Sequence, residues 1–145
     1  MSGELMREEF PVQGRNFDKA GEVSSEIKVI LKDLGIDAAC LRRVVIVAFE
    51  AEMNVVMYAD RGTVTLVLTD SDINLEVKDE GPGIPDIELA MQEGYSTASD
   101  EMREMGFGFG MGLSNMKKNA DEFKLESEVG KGTSVFARIM LNAHA

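Results

Sequence analysis

The segment VVIVAF, residues 44–49, constrains the fold more than any other part of the sequence. It lies in the middle of a helix that we predict from Asp37 to Tyr58. Apolar residues cover the whole circumference of this segment, so none of its faces is suited to water. We therefore expect this helix to be buried in the core of the protein.

Alternating polar and apolar residues predict the strands of a sheet. Two such stretches are joined by the turn DSD and form a predicted hairpin. Pro11 lacks the backbone N–H that a central strand needs, which places the first strand at an edge of the sheet. The predicted strands cover residues 4–13, 63–69, 73–79, 123–129 and 133–141.

Other segments have the apolar spacing of helices. We predict a first helix over Phe17–Leu34 that ends at Gly35, a short helix over residues 86–93, and a third main helix over Leu113–Phe123. Together with the strands this is an α+β pattern, in which helices cover one face of a mostly antiparallel sheet. The length of 145 residues predicts a single domain over residues 1–145.

The charge of the chain limits the partners that it can bind. A net charge of −11 argues against binding nucleic acid, because a nucleic-acid surface needs a basic face. An acidic protein that binds an anion has to use backbone amides, a metal ion or a few well-placed cations. Segments that expose backbone amides are therefore candidates for an anion-binding site.

Hydropathy and cysteine content indicate the compartment. No apolar run approaches the roughly 20 residues of a membrane span, and the N-terminal MSGELMREEF lacks the apolar core of a signal peptide. The single cysteine, Cys40, cannot form an internal disulfide and suits a reducing environment. We interpret Cys40 as a small buried core residue and expect a cytoplasmic protein with no membrane partner.

The predicted second helix carries the first candidate site. Glu50 and Asn54 are four residues apart and share one helix face. The alternatives for Glu50 are a solvent-facing edge of the helix or an ion pair with Arg42 or Arg43. Glu52 lies about 200° around the helix from Glu50, so the two carboxylates cannot share one task. We expect one of them to face water.

The second candidate site ends the strand over residues 73–79. Its apolar face finishes with a carboxylate, Asp79, and the sequence Glu-Gly-Pro-Gly follows at once. A carboxylate at that position can lie at the floor of a pocket and accept a hydrogen bond from a ligand amino group. Gly81 and Gly83 permit a tight turn and a close approach of a ligand to the backbone. The alternative is a plain turn after a strand.

The third candidate site is the run GFGFGMG before the third helix. Its glycines, at positions 106, 108, 110 and 112, expose successive backbone amides where a helix N-terminus favours phosphate. The run matches neither the Gly-Lys-Ser/Thr phosphate loop nor the G-x-G-x-x-G pattern. It closes an aperiodic segment, residues 94–112, which is a candidate lid over a binding site. The alternative is a flexible glycine-rich loop.

These segments, in this order, resemble a known family. They are similar to the N, G1, G2 and G3 boxes of the GHKL ATPases, a superfamily that includes gyrase, Hsp90, histidine kinases and MutL. The short form of the domain resembles the bacterial anti-sigma factor serine kinases, especially the switch kinases. The matching segments are Glu50-x-x-x-Asn54, Asp79-x-Gly81-x-Gly83, the glycine run 106–112 and Gly130-Lys131-Gly132-Thr133.

The resemblance implies a two-layer α/β sandwich of the GHKL (Bergerat) type with a nucleotide lid at residues 94–112. It also implies that ATP is the cofactor. In such a site Asp79 would bind the adenine amino group, and Gly81 and Gly83 would let the base approach the backbone. Thr133 would close the site from the strand side.

The resemblance assigns the remaining roles to the helices and the lid. Asn54 would bind Mg²⁺ through its side-chain oxygen, and Glu50 would be the general base that takes a proton from an incoming serine hydroxyl. Gly108, Gly110 and Gly112 would offer amides to the phosphates. The run has one more Gly-x unit than G-x-G-x-G-L, which leaves two registers for these contacts.

The function implied by the resemblance is an ATP-dependent serine-protein kinase that phosphorylates a STAS-domain regulatory protein. Its other partner would be a sigma factor or an activator protein, and a homodimer through the first strand is possible because an edge strand has free pairing groups. The alternative is an ATP-binding module that sequesters its partner without significant catalysis. A histidine-kinase catalytic domain is a weaker alternative, since the only histidine is His144.

Overall fold

The computed structural model describes residues 3–84, 91–92 and 112–141. The predicted short helix over residues 86–93 lies outside these residues except at 91–92, and the predicted lid lies outside them except at Gly112. The elements are β1 (Glu4–Gln13), a 3₁₀ turn (Phe17–Lys19), α1 (Glu22–Asp33), α2 (Ala38–Tyr58), β2 (Arg61–Thr69), β3 (Asp72–Glu80), α3 (Gly112–Asn119), β4 (Glu122–Glu128) and β5 (Gly132–Met140).

The strands form one five-stranded sheet with the order β1-β2-β3-β5-β4. Every neighbouring pair is antiparallel. β1 lies at one edge, as its proline predicted, and β4 lies at the other edge. The α+β fold with an antiparallel sheet is therefore confirmed.

The helices pack on one face of the sheet, with α2 at the centre of the layer. α2 contacts α1 and α3 on its two sides and lies against strands β1, β2, β3 and β5. The core between the layers is built from branched aliphatic side chains, including the fully buried Val44, Val55, Leu66, Ile73, Leu75 and Ile139. Burial of these apolar surfaces is the main term that holds the two layers together.

The prediction that residues 44–49 are buried on all sides is wrong at three residues, because Val45 and Ile46 are only half-buried and Phe49 is exposed. Val44, Val47 and Ala48 are buried, but Phe49 keeps 40% of its surface exposed. The ring of Phe49 lies on the outer side of α2, close to Gly21 at the start of α1. α2 is thus covered by the sheet and by two helices, while its outermost side is partly open among the described residues.

The first predicted helix begins later than its apolar spacing indicates. Phe17 starts a short 3₁₀ turn, and the chain then breaks at Gly21, which has φ 94°. That left-handed conformation is easily adopted only by glycine. α1 therefore begins at Glu22, with Gly21 as its N-cap.

The start of α1 is held by a carboxylate from α2. Glu52 is 1% exposed. Its two oxygens accept hydrogen bonds from the backbone N–H groups of Gly21 at 3.0 Å, Val23 at 3.2 Å and Ser24 at 2.9 Å. The expectation that Glu50 or Glu52 faces water is wrong, because Glu52 is buried and Glu50 is half-buried.

The start of α2 agrees with the sequence prediction. Asp37 is the N-cap, and its side chain accepts hydrogen bonds from the backbone N–H groups of Ala39 and Cys40. Cys40 is 1% exposed, which confirms that it is a core residue. Burial raises the pKa of the Cys40 thiol above its ordinary value.

The third helix is shorter than predicted. α3 ends at Asn119, and β4 begins at Glu122. Asp121 lies between them, where its carboxylate accepts the Met140 N–H at 2.7 Å and its backbone N–H donates to the Arg138 carbonyl. These bonds attach the residue between α3 and β4 to β5, so the chain leaves the helix and enters the sheet at this point. No helix among the described residues has the length and apolar character needed to cross a membrane.

Candidate functional site

A row of four residues crosses one end of the sheet. Gly62 on β2 faces Asp79 on β3 in the strand register, and Thr133 on β5 faces Ser127 on β4. The two pairs are joined by the backbone N–H of Thr133, which donates to Oδ1 of Asp79 at 3.0 Å. The sheet thus brings the predicted adenine-binding carboxylate next to the predicted Thr133, on the helix-covered face.

Asp79 is half-buried and has one oxygen available for a ligand. Oδ1 accepts the bond from Thr133, whereas Oδ2 accepts no hydrogen bond within the part of the chain that the structure describes. Burial raises the pKa of Asp79 above its ordinary value of 3.8, and the Thr133 hydrogen bond opposes that change. A partly desolvated carboxylate of this kind is suited to accept a hydrogen bond from a ligand donor.

Replacing Asp79 with asparagine is expected to stabilise the nucleotide-free protein at neutral pH. Because the pKa of Asp79 is raised in the folded state, its contribution to stability is present at low pH and is lost as the pH rises through that pKa. Urea unfolding of both proteins from about pH 4 to about pH 7 measures the effect. The wild type should lose stability relative to Asp79→Asn across this range, whereas a constant difference would contradict the burial cost. Asp70→Asn, at an exposed turn, is the control.

The loop that follows Asp79 is packed against the turn between β4 and β5. Gly83 has φ 78°, and a Cβ atom added to it would overlap the backbone carbonyl of Glu128. Gly130 donates its N–H to the carbonyl of Pro82 at 2.9 Å, and Ile84 donates its N–H to Oγ of Ser127 at 2.7 Å. Glycine is therefore required at position 83 by this packing alone.

The end of α2 approaches the same loop. A Cβ atom added to Gly81 would lie 3.1 Å from the Cα of Ala59. A Cβ atom added to Gly62 would lie 3.0 Å from both γ-methyl groups of Val55. The C-terminal half of α2 thus lies directly over the Asp79 end of the sheet.

Glu50 and Asn54 meet the start of α3. A Cβ atom added to Gly112 would lie 3.6 Å from Oδ1 of Asn54 and 3.8 Å from Oε1 of Glu50. The side-chain amide of Asn115 donates to Oε2 of Glu50 at 2.8 Å. One oxygen of Glu50 is therefore fixed by α3, and the other faces the first residue of that helix.

The predicted alternative of an ion pair between Glu50 and Arg43 is wrong. The Arg43 guanidinium turns toward the end of α3, where it donates to the Asn119 carbonyl at 3.0 Å and lies 3.1 Å from Asp121. Arg42 is exposed. Arg43 and Asn115 instead hold the two ends of α3 against α2.

The predicted site residues fall into two groups that α2 joins. Glu50, Asn54 and Gly112 lie at the start of α3, and the Asp79 group lies at the end of the sheet. The Asp79 group contains Asp79, Gly81, Gly83 and Thr133. Gly108 and Gly110 lie outside the described residues, so their predicted phosphate contacts remain predictions.

Sequence reasoning missed two residues of this region. Asn115 is three positions after Gly112, so the two residues lie on one side of α3, and that spacing was the available signal. Ser127 precedes the Gly-Lys-Gly turn on the same strand face as Phe123 and Leu125, the partly buried apolar residues of β4. Nothing in the local pattern distinguishes its role.

A cleft of about 910 Å³ also reaches Asp79, from the side of α1. Its walls include Asn16 and Lys19 near the 3₁₀ turn and Glu52 and Val56 on α2. Of the described site residues predicted from the sequence, only Asp79 lines it. This cleft is therefore on the opposite side of α2 from Glu50 and Asn54.

Comparison with known proteins gives a family match over most of the chain. Residues 36–143 match the family described as histidine kinase-, DNA gyrase B-, and HSP90-like ATPase. The matched region contains both groups of site residues. The predicted GHKL resemblance is confirmed, and membership in this ATPase family implies that the chain binds ATP.

Individual relatives narrow the comparison. The chain is 31% identical over 112 residues to serine/threonine-protein kinase RsbT of Bacillus subtilis (strain 168), which covers 74% of this chain and 78% of that protein. It is 40% identical over 76 residues to the anti-sigma F factor of Geobacillus stearothermophilus, covering 52% of this chain and 49% of that protein. It is 37% identical over 94 residues to the anti-sigma F factor of Clostridium acetobutylicum, covering 61% and 62%. The matches thus span about half to three quarters of each relative, and the chain belongs to the histidine kinase-, DNA gyrase B- and HSP90-like ATPase family, among its anti-sigma and switch serine kinases.

Proposed function

We propose that this chain is an ATP-dependent serine-protein kinase of the anti-sigma, partner-switching type, and that it phosphorylates a STAS-domain regulatory protein. The observation that carries the proposal is the carboxylate of Glu50, which Asn115 holds beside the first residue of α3. A helix start favours phosphate, so a base at this point lies beside the group to be transferred. The similarity to a serine/threonine-protein kinase supports the same activity.

The nucleotide base would bind at the end of the sheet. Oδ2 of Asp79 would accept a hydrogen bond from the adenine amino group, and the hydroxyl of Thr133 would contact the ring from the strand side. Gly81 and Gly83 would let the base lie close to the backbone. The short contact between Thr133 and Asp79 supports a shared role in binding the base.

The phosphates would bind at the start of α3. The amides of Gly112 and, from the preceding segment, of Gly108 and Gly110 would donate to phosphate oxygens. Backbone amides suit an anion site in a protein with a net charge of −11, because they donate hydrogen bonds to phosphate without requiring cationic side chains. Residues 94–112 would form a lid over this part of the site.

Mg²⁺ would be held at Asn54. Among the described residues, no group of three or more His, Cys, Asp or Glu side chains could hold a metal ion by itself. A single amide oxygen beside the start of α3 fits an ion that takes oxygen ligands and usually keeps several waters and phosphate oxygens. When bound, the ion supplies positive charge that neutralises the phosphates.

Glu50 would be the general base of the transfer. Its carboxylate takes the proton of the substrate serine hydroxyl, and the serine oxygen forms a bond to the γ-phosphorus. The bond from that phosphorus to the bridging oxygen of the β-phosphate breaks, so that ADP leaves. Asn115 would keep the Glu50 carboxylate in the orientation that accepts the proton.

The remaining parts of the proposal concern partners and setting. The chain would act in the cytoplasm as a single GHKL domain over residues 1–145. A sigma factor or an activator protein would be its second partner. A homodimer would form through β1, whose only paired neighbour among the described strands is β2, and where Leu5 is 67% exposed.

A second candidate function is an ATP-binding module that sequesters a sigma factor or another regulator without significant catalysis. The relatives named anti-sigma F factor favour it, since their names describe action against a sigma factor. It uses the same nucleotide site. The two candidates differ in whether phosphate leaves the nucleotide.

Phosphoryl transfer to a co-purified partner tests the proposal. The protein is isolated with its partners, incubated with Mg²⁺ and ATP, and analysed by mass spectrometry against a sample without ATP. We expect an ATP-dependent phosphoserine on a STAS-domain protein. A stable complex with no phosphopeptide would favour the sequestering module and contradict the kinase.

A further inference from the structure

The hydroxyl of Ser127 joins β4 to the loop after Asp79 and to the start of β5. Its Oγ accepts the backbone N–H of Ile84 at 2.7 Å, lies 2.9 Å from Oγ1 of Thr133, and donates to the Gly132 carbonyl at 3.2 Å. These partners belong to the loop after Asp79 and to the start of β5. One side chain on β4 therefore holds both of the segments that surround the predicted base site.

A serine hydroxyl can satisfy all three contacts at once. It has one O–H donor and two acceptor lone pairs. The Ile84 amide occupies one lone pair, and the proton and the second lone pair remain for Gly132 and Thr133. Since the Ser127 and Thr133 hydroxyls are in contact, Ser127 sets the direction in which the Thr133 hydroxyl points.

The effect of Ser127 extends to Asp79 through Thr133 and Gly132. The Thr133 N–H donates to Oδ1 of Asp79, and a Cβ atom added to Gly132 would overlap the backbone oxygen of Asp79. The start of β5 therefore has little freedom to move relative to Asp79. Any shift of β5 that follows the loss of the Ser127 hydroxyl would reach the Asp79 carboxylate.

We propose that Ser127 is a positioning residue that sets the selectivity of the nucleotide site for the 6-amino group of adenine. The proposal rests on the proposed function, in which Asp79 accepts a hydrogen bond from that amino group. Ser127 does not touch the base in this account. It fixes the loop over residues 79–84 and the start of β5, where the backbone N–H of Thr133 donates to Oδ1 of Asp79 and so orients its carboxylate.

The test compares two nucleotides that differ only in the 6-amino group. Calorimetry measures the affinity of the protein for ATP and for purine riboside triphosphate, which has hydrogen in place of that group. The wild type should prefer ATP. Ser127→Ala should lower ATP affinity about tenfold and change purine riboside triphosphate affinity by no more than about twofold, so the preference is largely lost.

Two further variants keep the test decisive. Ser134→Ala makes the same chemical change one residue after Thr133, on the opposite face of the sheet, and should keep the wild-type preference. Ser127→Cys fills the space of the hydroxyl with a weak hydrogen-bonding group, and it should lose the preference as Ser127→Ala does. It replaces the alanine variant if that variant does not fold.

The outcomes separate this inference from the proposed function. Equal loss of affinity for both nucleotides, or an unchanged preference in folded Ser127 variants, would overturn the selectivity role and leave the ATP site intact. Failure of the wild type to bind ATP would overturn the proposed function and this inference together. A wild type that binds both nucleotides equally would overturn the assignment of Asp79 to the amino group, and with it this inference.

Discussion

Replacing Glu50 with alanine is expected to slow phosphoryl transfer to the partner protein by about 10²–10⁴-fold, the usual range for loss of a general base. The carboxylate is half-buried on α2, and Oε1 faces Gly112 at the start of α3. Alanine at this position removes the carboxylate that is proposed to take the serine proton. The base site is untouched, so ATP affinity should change by no more than about twofold. The measurement is the single-turnover rate with purified partner.

Two variants sharpen this prediction. Asn115→Ala keeps the Glu50 carboxylate and removes the amide that orients it, so we expect a smaller loss of rate, about tenfold, with unchanged ATP affinity. Glu26→Ala removes an exposed glutamate from α1 and should transfer phosphate at the wild-type rate. A wild-type rate for folded Glu50→Ala would show that another group takes the proton.

Replacing Glu52 with alanine is expected to destabilise the fold by about 3 kcal/mol, the largest stability effect that we predict for a single side chain. The change removes the acceptors of three backbone N–H groups at the start of α1. It also leaves a space where a side chain that is 1% exposed had been packed. Both effects act on the contact between α1 and α2.

Urea unfolding of Glu52→Ala and Glu52→Gln measures this effect. Glutamine keeps one acceptor oxygen and the packing, so we expect a smaller loss, about 2 kcal/mol. Glu26→Ala, on the exposed side of α1, should stay within about 0.5 kcal/mol of the wild type. Equal stability of Glu52→Ala and Glu26→Ala would mean that the three hydrogen bonds add nothing to the free energy of unfolding.

Much of the fold was predictable because its signals are local. The alternation in residues 63–69 and 73–79 gave the central hairpin within two residues at each end. Asp37 marked the start of α2, because its side chain caps the amides two and three residues later. Pro11 gave the edge position of β1, because proline cannot donate a hydrogen bond to a second neighbour.

The errors arose where a distant segment decides the local structure. The apolar spacing from Phe17 continues through Gly21, but the helix starts only after Gly21. There the carboxylate of Glu52, 31 positions from Gly21 in the sequence, accepts hydrogen bonds from the first backbone amides of the helix. Sequence spacing could place Glu50 and Glu52 on different faces of α2. It could not say that α1 would cover the face with Glu52.

The candidate site also contains some residues that local patterns predicted and others that only contacts between distant segments bring into place. The spacing of Glu50 and Asn54 and the loop after Asp79 indicated the residues whose types carry the chemistry. The residues that hold this chemistry in place could not be predicted, because Asn115 is 65 positions from Glu50 and Ser127 is 43 positions from Ile84. Such contacts depend on how the sheet and the helix layer assemble, which no short pattern contains.

Titration calorimetry of ATP in magnesium-containing buffer, with the wild type and Asp79→Ala, tests the central claim that the Asp79 end of the sheet binds the adenine base. The wild type should bind ATP at one site, and Asp79→Ala should bind it at least about tenfold more weakly while remaining folded. ATP binding of equal strength by both proteins, or no heat of binding by the folded wild type, would contradict the account.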